Sequence, residues 1–491
     1  MEQNLESQKY RQDLINEIKG SENNERMEKS LEDWDVFKGD IRPYVERRLT
    51  DRFSETLVSE VPIVASINIL KKSVKAKASL YKTAPTREFT ELNDQQQEVV
   101  ELVYKDMRMD AQMLSLNELY ELQGQTHALI EPKNGRLALR PVKSHQINVK
   151  PSDIDPETGE IYIFSSYDKS KSGLKEDESD NKNQKIGDLN DYQDERYFVW
   201  SKSFHFVMNG RGEILTEDTI SPLVSEGVVP VVELSGLKDF TYWIKGTNED
   251  AEFTVAYNSS QSMLGQIVES QGFGQAFLKT TADLMPTSID IGPTRILRLI
   301  VDPNTGADTE FGFASPNADI SGAREYSESL LSQYLSSQGH SPNSISGNAS
   351  TSDKFTSGTD RFLAQIEKFE SSKDAMDIFK HGESAVYNII RAWLNVLSQS
   401  DVLHPKYRIK GQISPDSELS IQYEMPSAVL TKMEKLDVIE RELELRLTSE
   451  EKAYAEYNGV TEAEALDALA EMEPKEVEPV VIEDKEDAEI S

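Results

Sequence analysis

The chain has 491 residues, enough for two to four domain-like units. It carries 53 Lys and Arg against 87 Asp and Glu, a net charge of −34. Most of its surface therefore repels nucleic acid, and any DNA contact must be loose or made through local rings of Lys or Arg. There is no cysteine, which excludes disulfides, thiolate zinc sites and iron–sulfur clusters and points to maturation in a reducing, cytosol-like space.

In chain order, Met1-Glu2-Gln3-Asn4 has neither the basic start nor the apolar run of a signal peptide. No stretch approaches about 18 consecutive apolar residues, so no membrane span is expected. Residues 1–33 are highly charged with sparse apolar positions and read as an exposed helical arm. From Trp34 the apolar pattern strengthens, with a packed helix after Pro43. Pro62 opens a helix predicted to run to Tyr81, with Ile63, Ile67, Leu70, Val74, Ala78 and Tyr81 on one face. Its other face carries Lys71, Lys72, Lys75 and Lys77. A basic face is usually only solvated, but in so acidic a chain it is a candidate for a partner or a neighbouring subunit.

A further helix is predicted from about Asp94 to Leu122, ending at Gly124. Strands follow. Residues 127–131 and 136–140 flank Lys133-Asn134-Gly135, a good hairpin turn. Residues 161–164 form another strand, and the almost wholly polar stretch 168–195 reads as an exposed or disordered insertion. Tyr197 to Val207 and Glu213 to Leu215 read as a hairpin around Asn209-Gly210, and Val228 to Leu234 as a short buried strand. A helix of low apolar content spans about Asn248 to Gln271. Such a helix is expected to bridge solvent or to pack against copies of itself. Residues 275–313 turn strand-like, and a third helix runs from about Asp319 to Ser337. Two helices thus bracket a small β-rich module. Its β-branched residues, among them Ile296 and Leu299, are flanked by helices too polar to bury them, so they should complete their sheet or core with neighbouring chains.

Residues 339–352 are small and polar, with two glycines and a proline that resist regular structure. A long helical pattern then begins near Thr359. Phe362, Ile366, Phe369, Met376, Phe379, Val386, Ile390, Trp393 and Leu397 fall on one stripe. Roughly forty residues make a rod about 60 Å long, and Gly382 is its expected bend. Beyond it, Tyr407 to Lys410 and Leu419 to Tyr423 are predicted to pair around Pro415-Asp416. The chain is helical again from Ser427 to Met472, and it ends in a run of Glu and Asp that reads as a solvated tail.

Motifs that carry chemistry are scarce. There is no Walker A sequence, and Gly210-Arg211-Gly212 and Gly272-Phe273-Gly274 lack the third glycine of a dinucleotide loop. Residues 302–313 and 153–164 faintly resemble calcium loops, but Phe313 and Phe164 stand where the bidentate glutamate belongs. Both read better as hairpin tips. The six histidines are not at metal-ligand spacing. No nucleophile elbow is present. The residues thus predict no catalytic centre, no metal and no cofactor.

The order of elements resembles the portal proteins of tailed bacteriophages, over most of the chain. Leu80-Tyr81-Lys82-Thr83-Ala84-Pro85 resembles the end of their early helix, with Ala84 where a glycine is usual. Val228 to Glu233 followed by Glu249 to Gln271 resembles their strand into the first stem helix. Ser341 through Phe362, with Thr356-Ser357-Gly358, resembles the tunnel loop and the start of the long helix, and Leu430 to Ala470 their C-terminal helical region.

The resemblance implies an α+β, portal-type fold. Residues 1–247 would form the first part of a wing, 248–271 and 319–338 the two stem helices, and 272–318 a small clip. Residues 339–356 would be the tunnel loop, 357–425 the long helix with the rest of the wing, 426–475 a helical crown, and 476–491 a disordered acidic tail. It implies a ring of about twelve copies at one capsid vertex of the virion, assembled in the host cytoplasm. That ring would be the channel for DNA packaging by the terminase large subunit and for genome exit. Its other partners would be the major capsid and scaffold proteins and the head–tail adaptor, with no membrane.

In that frame Asn343, Ser344, Asn348, Ser350 and Ser352 would line the DNA channel with small polar groups, and Lys354 would add a weak phosphate contact. Ile296 and Leu299 would belong to the clip's partner interface. Two other classes stay open on the residues: a non-portal virion or scaffold-binding structural protein, and an enzyme with carboxylate–metal chemistry built from scattered Asp and Glu.

Overall fold

The computed structural model describes residues 7–167, 195–216, 218–244, 248–272, 275–280, 296–300, 310–314, 320–338, 358–423, 436, 439–443, 448–458 and 465–466. It mixes helices with four small sheets, an α+β architecture. The chain divides into two units, residues 1–349 with 367–425 and residues 350–366 with 426–491. In the second, the C-terminal segment contains one described helix, α11 (Glu450–Asn458). The forty-residue helix α10 (Gly358–Leu397) is continuous through Gly382.

The N-terminal segment is not an exposed arm. Helix α1 (Gln8–Ile18) buries Leu14, Ile15 and Ile18. They pack with Ile161, Ile163, Tyr197, Val199, Phe206 and Met208 of a four-stranded antiparallel sheet. That sheet is β4 (Ile147–Pro151), β5 (Gly159–Tyr167), β6 (Glu195–Trp200) and β7 (His205–Asn209), in that order. Arg11, also buried, donates from Nε to the Gly212 carbonyl at 2.7 Å. Leu14, Ile15 and Ile18, with Tyr10 beside them, pack on the part of the sheet formed by β5, β6 and β7. The predicted strand from Tyr197 to Val207 is two strands, reversed at residues 201–204, with the Asn209 end bridged to Ile214. Residues 168–194 lie outside the described residues.

Helices α2 (Ser21–Lys38), α3 (Arg42–Thr50) and α4 (Glu55–Glu60) follow α1. The helix expected over 62–81 is only α5 (Ile69–Lys77), capped by the Asn68 side chain on the Lys71 N–H at 2.8 Å. Residues 62–68 are irregular, because their backbone is held by another helix, described below. Past β1 (Thr86–Phe89), the single helix expected over 94–122 is two. These are α6 (Asp94–Met107) and α7 (Met109–Gln123), broken at Arg108 with φ 53°. Asn93 and Gln96 form a reciprocal cap at the start of α6.

The hairpin β2 (Gln125–Lys133) and β3 (Arg136–Val142) turns at Asn134 and Gly135, both with positive φ (54° and 75°), the geometry that Asn-Gly favours. Strand β8 (Val231–Ser235) pairs on the other edge of β2. This sheet, α6, α7 and the part of α10 from Ala375 onward enclose the largest core. There Trp393 Nε1 donates to the Ile130 carbonyl at 2.9 Å. A Cβ on Gly382 would fall 1.9 Å from Leu234 Cδ2, so this glycine lets α10 approach β8 and is not a break in the helix.

Residues 407–410 do not pair with 419–423. Strand β12 (Leu419–Gln422) pairs instead with β1, antiparallel. The segment 409–413 is held by side chains of α10. Gln399 Nε2 donates to Ile409 O at 2.7 Å, Asn395 Nδ2 to Ile413 O at 3.2 Å, and Ile413 N–H to Asn395 Oδ1 at 2.8 Å. Side-chain amides satisfy the backbone groups that a ladder would otherwise have taken.

Candidate functional site

The region of interest is built on α8 (Glu249–Gly272) and α9 (Ile320–Ser337), which flank the sheet of β9 (Gln275–Thr280), β10 (Ile296–Ile300) and β11 (Glu310–Ala314). Helix α8 places Asp250, Thr254, Asn258 and Ser262 at four-residue spacing, and all four are buried. Such spacing aligns them along one face. They grip the backbone of residues 64–70. Val64 N–H donates to Ser262 Oγ at 2.8 Å, and Ile67 N–H to Asn258 Oδ1 at 3.2 Å. Asn258 Nδ2 donates back to Ile67 O at 2.7 Å, and Leu70 N–H donates to Thr254 Oγ1 at 2.9 Å. The low apolar content of α8 thus serves a partner within its own chain, in place of the solvent or sister helices expected from sequence.

Asp250 closes the stripe. One carboxylate oxygen accepts from Ser73 Oγ at 2.7 Å and faces Lys77 Nζ at 3.5 Å. The other accepts from the Tyr334 hydroxyl of α9 at 2.8 Å. Burial first, and then Asp250, push the Tyr334 phenol above its ordinary value. The Tyr334 ring stacks on Phe253 with centroids 3.7 Å apart and planes 5° apart, and Gln261 Nε2 donates to Ser327 Oγ at 2.5 Å. Lys77 is therefore spent within the chain, while Lys72 and Lys75 stay on the exposed side of α5.

Of the 18 residues of α9, only Ser327 and Leu335 are buried. Tyr326 is 69 % exposed, and Leu330 and Ile267 are each 36 % exposed. These three help to line an open groove of about 320 Å³ between α3, α8 and α9. Arg48, Arg52 and Phe53 form its far side. Sequence reading did not single out these residues. An Arg-x-x-x-Arg-Phe run at the end of a short helix is the only trace they leave.

Strand β9 is the centre of its sheet, parallel to β10 and antiparallel to β11. Ile296 stands opposite Ala276 and Leu299 opposite Lys279, so both lie on an outer strand. Among the described residues no further strand joins β10 or β11. Asn343, Ser344, Asn348, Ser350, Ser352 and Lys354 lie outside the described residues, as do the expected turn at 302–306 and the acidic tail.

A second polar cluster lies where α10 meets the large core. Glu383 is fully buried and ion-pairs with Arg87, which also reaches Asp110 at 2.7 Å. The Tyr81 hydroxyl donates to Glu383 at 2.8 Å and touches the Tyr423 hydroxyl at 2.7 Å. Burial alone would lower the Arg87 pKa, but Glu383 and Asp110 outweigh it and hold the guanidinium charged. The cluster ties α10 to the segment after α5, to β1 and to α7. His127 is likewise buried, 2.6 Å from the Tyr242 hydroxyl. Burial, with Lys238 and Arg26 nearby, pushes its pKa down to about 3. It is a neutral core imidazole.

Among the described residues no three His, Asp or Glu converge as metal ligands, and no helix is long and apolar enough to cross a membrane. The chain matches no protein-family model and no curated protein.

Proposed function

We propose that this chain is the subunit of a portal ring of the tailed-bacteriophage type. In this reading about twelve copies close around an axial channel at one capsid vertex, through which the terminase drives duplex DNA inward and from which the genome later leaves. The observation that carries it is the unit α8–sheet–α9. Two helices bracket a three-stranded sheet that no further strand joins among the described residues, and the second helix buries only Ser327 and Leu335 of its 18 residues. A helix that leaves so much of one side to solvent, beside a sheet with two edge strands, is what a subunit keeps for its neighbours.

In this reading β9–β11 form the clip, offering Ile296 and Leu299 to the terminase, the adaptor or the next subunit. Asn343, Ser344, Asn348, Ser350, Ser352 and Lys354 face the DNA. Small polar groups suit a moving duplex, since strong phosphate pairing or base readout would stall it. The net charge of −34 per subunit keeps the channel wall from holding DNA. No bond chemistry is assigned to the chain.

Light scattering coupled to size exclusion tests the ring, with negative-stain imaging for its hole. The expected mass is about twelve times 55.4 kDa. Filter binding should show weak or absent affinity for free duplex DNA at physiological salt. A stable monomer at all concentrations, or tight and salt-sensitive binding to DNA, would overturn the reading.

A further inference from the structure

The groove between α3, α8 and α9 has the composition of an interface core. Met263, Ile267, Tyr326, Leu330 and Phe53 supply apolar and aromatic surface. Arg48 and Arg52 stand on its rim, and neither has a carboxylate within ion-pair distance among the described residues. Aromatic residues, Met and Arg are the types enriched where proteins meet. In a chain this acidic, two arginines beside bare apolar surface call for a negatively charged partner.

The other face of α9 supplies that charge. Glu328 is two residues on from Tyr326, and Glu325 five residues back from Leu330, so both project away from the groove. Both are exposed, and among the described residues Glu328 ion-pairs with Arg324 alone, an exposed neighbour one turn away at 2.9 Å. Helix α9 therefore borders a basic, apolar groove on one side and carries an acidic edge on the other. A two-fold dimer would set groove against groove and arginine against arginine. Opposite faces that complement each other generate a head-to-tail contact, which closes into a ring when the rotation permits.

We propose that the groove lined by Arg48, Arg52, Phe53 and Tyr326 receives the Glu325–Glu328 edge of α9 from a second copy of this chain, head to tail. The proposal rests on the ring reading and gives that ring its contact. The arginines meet the glutamates at the rim, and the neighbour's helix covers Tyr326 and Ile267 beneath them.

Paired charge reversals test it. Arg48→Glu with Arg52→Glu makes both faces acidic, and Glu325→Arg with Glu328→Arg makes both basic. Each variant alone should lose the ring and run near 55.4 kDa, while an equal mixture should restore an alternating ring. Because the chain has no cysteine, Arg52→Cys with Glu328→Cys in one chain gives an independent readout. A short bis-maleimide should then yield a ladder of covalent oligomers, and either single variant should not.

Rings formed by either reversed variant alone, a mixture that stays dissociated, crosslinking that stops at dimers, or no ladder from rings of the double-cysteine chain would each overturn the groove assignment. Those outcomes leave the ring itself standing if the unaltered chain still assembles. An unaltered chain that never assembles removes the ring reading as well.

Discussion

Helices α8 and α9 lie side by side and treat polarity in opposite ways. The polar residues of α8, Asp250, Thr254, Asn258 and Ser262, are buried and matched by groups of the same chain. Two apolar residues of α9, Tyr326 and Leu330, are exposed and line an open groove. The low apolar content of α8 marks it in sequence as a helix in want of neighbours, and the structure supplies its polar stripe with partners from the same chain. A polar stripe can be a docking strip for backbone, whose N–H and C=O groups must be satisfied as strictly as any side chain. A modestly apolar helix can be the one left waiting for a partner.

The contrast is sharpest at Asn258. Asn258→Leu orphans the half-buried N–H and C=O of Ile67 and should cost about 2 kcal/mol, since each unsatisfied buried group costs about 1–3 kcal/mol and water can reach these two in part. Urea denaturation of the assembly-deficient groove variant would measure it free of ring effects. A loss under about 1 kcal/mol would mean that residues 64–67 are not held by this side chain. Thr254→Val keeps the shape and strands only the Leu70 N–H, so the expected loss is smaller, about 1.5 kcal/mol.

At the head of α8, the Asn248 N–H donates to Asp33, yet burial, helped by Glu32, raises that carboxyl from 3.8 to about 7. A raised carboxyl pKa means the folded state binds the proton more tightly. The burial penalty is absent below pH 3.8, grows as pH rises, and is complete above about pH 7. Asp33→Asn should therefore stabilise the chain by about 1 kcal/mol at pH 8, after allowance for solvent screening. The gain should fade as pH is lowered toward 4, and melting curves at the two pH values decide it. An equal effect at both would refute the burial account.

The smallest effect is expected on α9. Tyr326→Ser should change the stability of the isolated subunit by less than about 0.5 kcal/mol, as for most exposed sites, while weakening assembly. A large loss in the subunit itself would show that α9 is held within its own chain, and the contrast would fail.

Much of the fold was legible in the sequence. The Asn134-Gly135 hairpin, the extent of α8, α9 and α10, and the brackets around the small sheet follow from turn residues and period. What was not legible has a common cause. The register of residues 62–68 depends on side chains about 190 positions away, as does the pairing of β12 with β1 across more than 300 positions, and no local period reports either. Glu383 reads in sequence as one more acid among 87, and only the arrival of Arg87, Tyr81 and Asp110 gives it a role. The bare groove was hidden for the same reason, since exposure of Tyr326 is a property of what fails to pack on it.

The grip of α8 on residues 64–70 also sets an order of events in time. The hydrogen-bonded pairs are separated by 184 to 198 residues. When α8 leaves the ribosome, the segment it will hold has been outside for many seconds at ordinary rates of synthesis, about 5–20 residues per second. The bonds that fix Val64, Ile67 and Leu70 cannot form earlier, because their partners on α8 have not yet been made. Closing so long a loop is slow compared with local helix formation. Residues 64–70 therefore wait for α8, and their docking belongs to a stripe of one Thr, one Asn and one Ser.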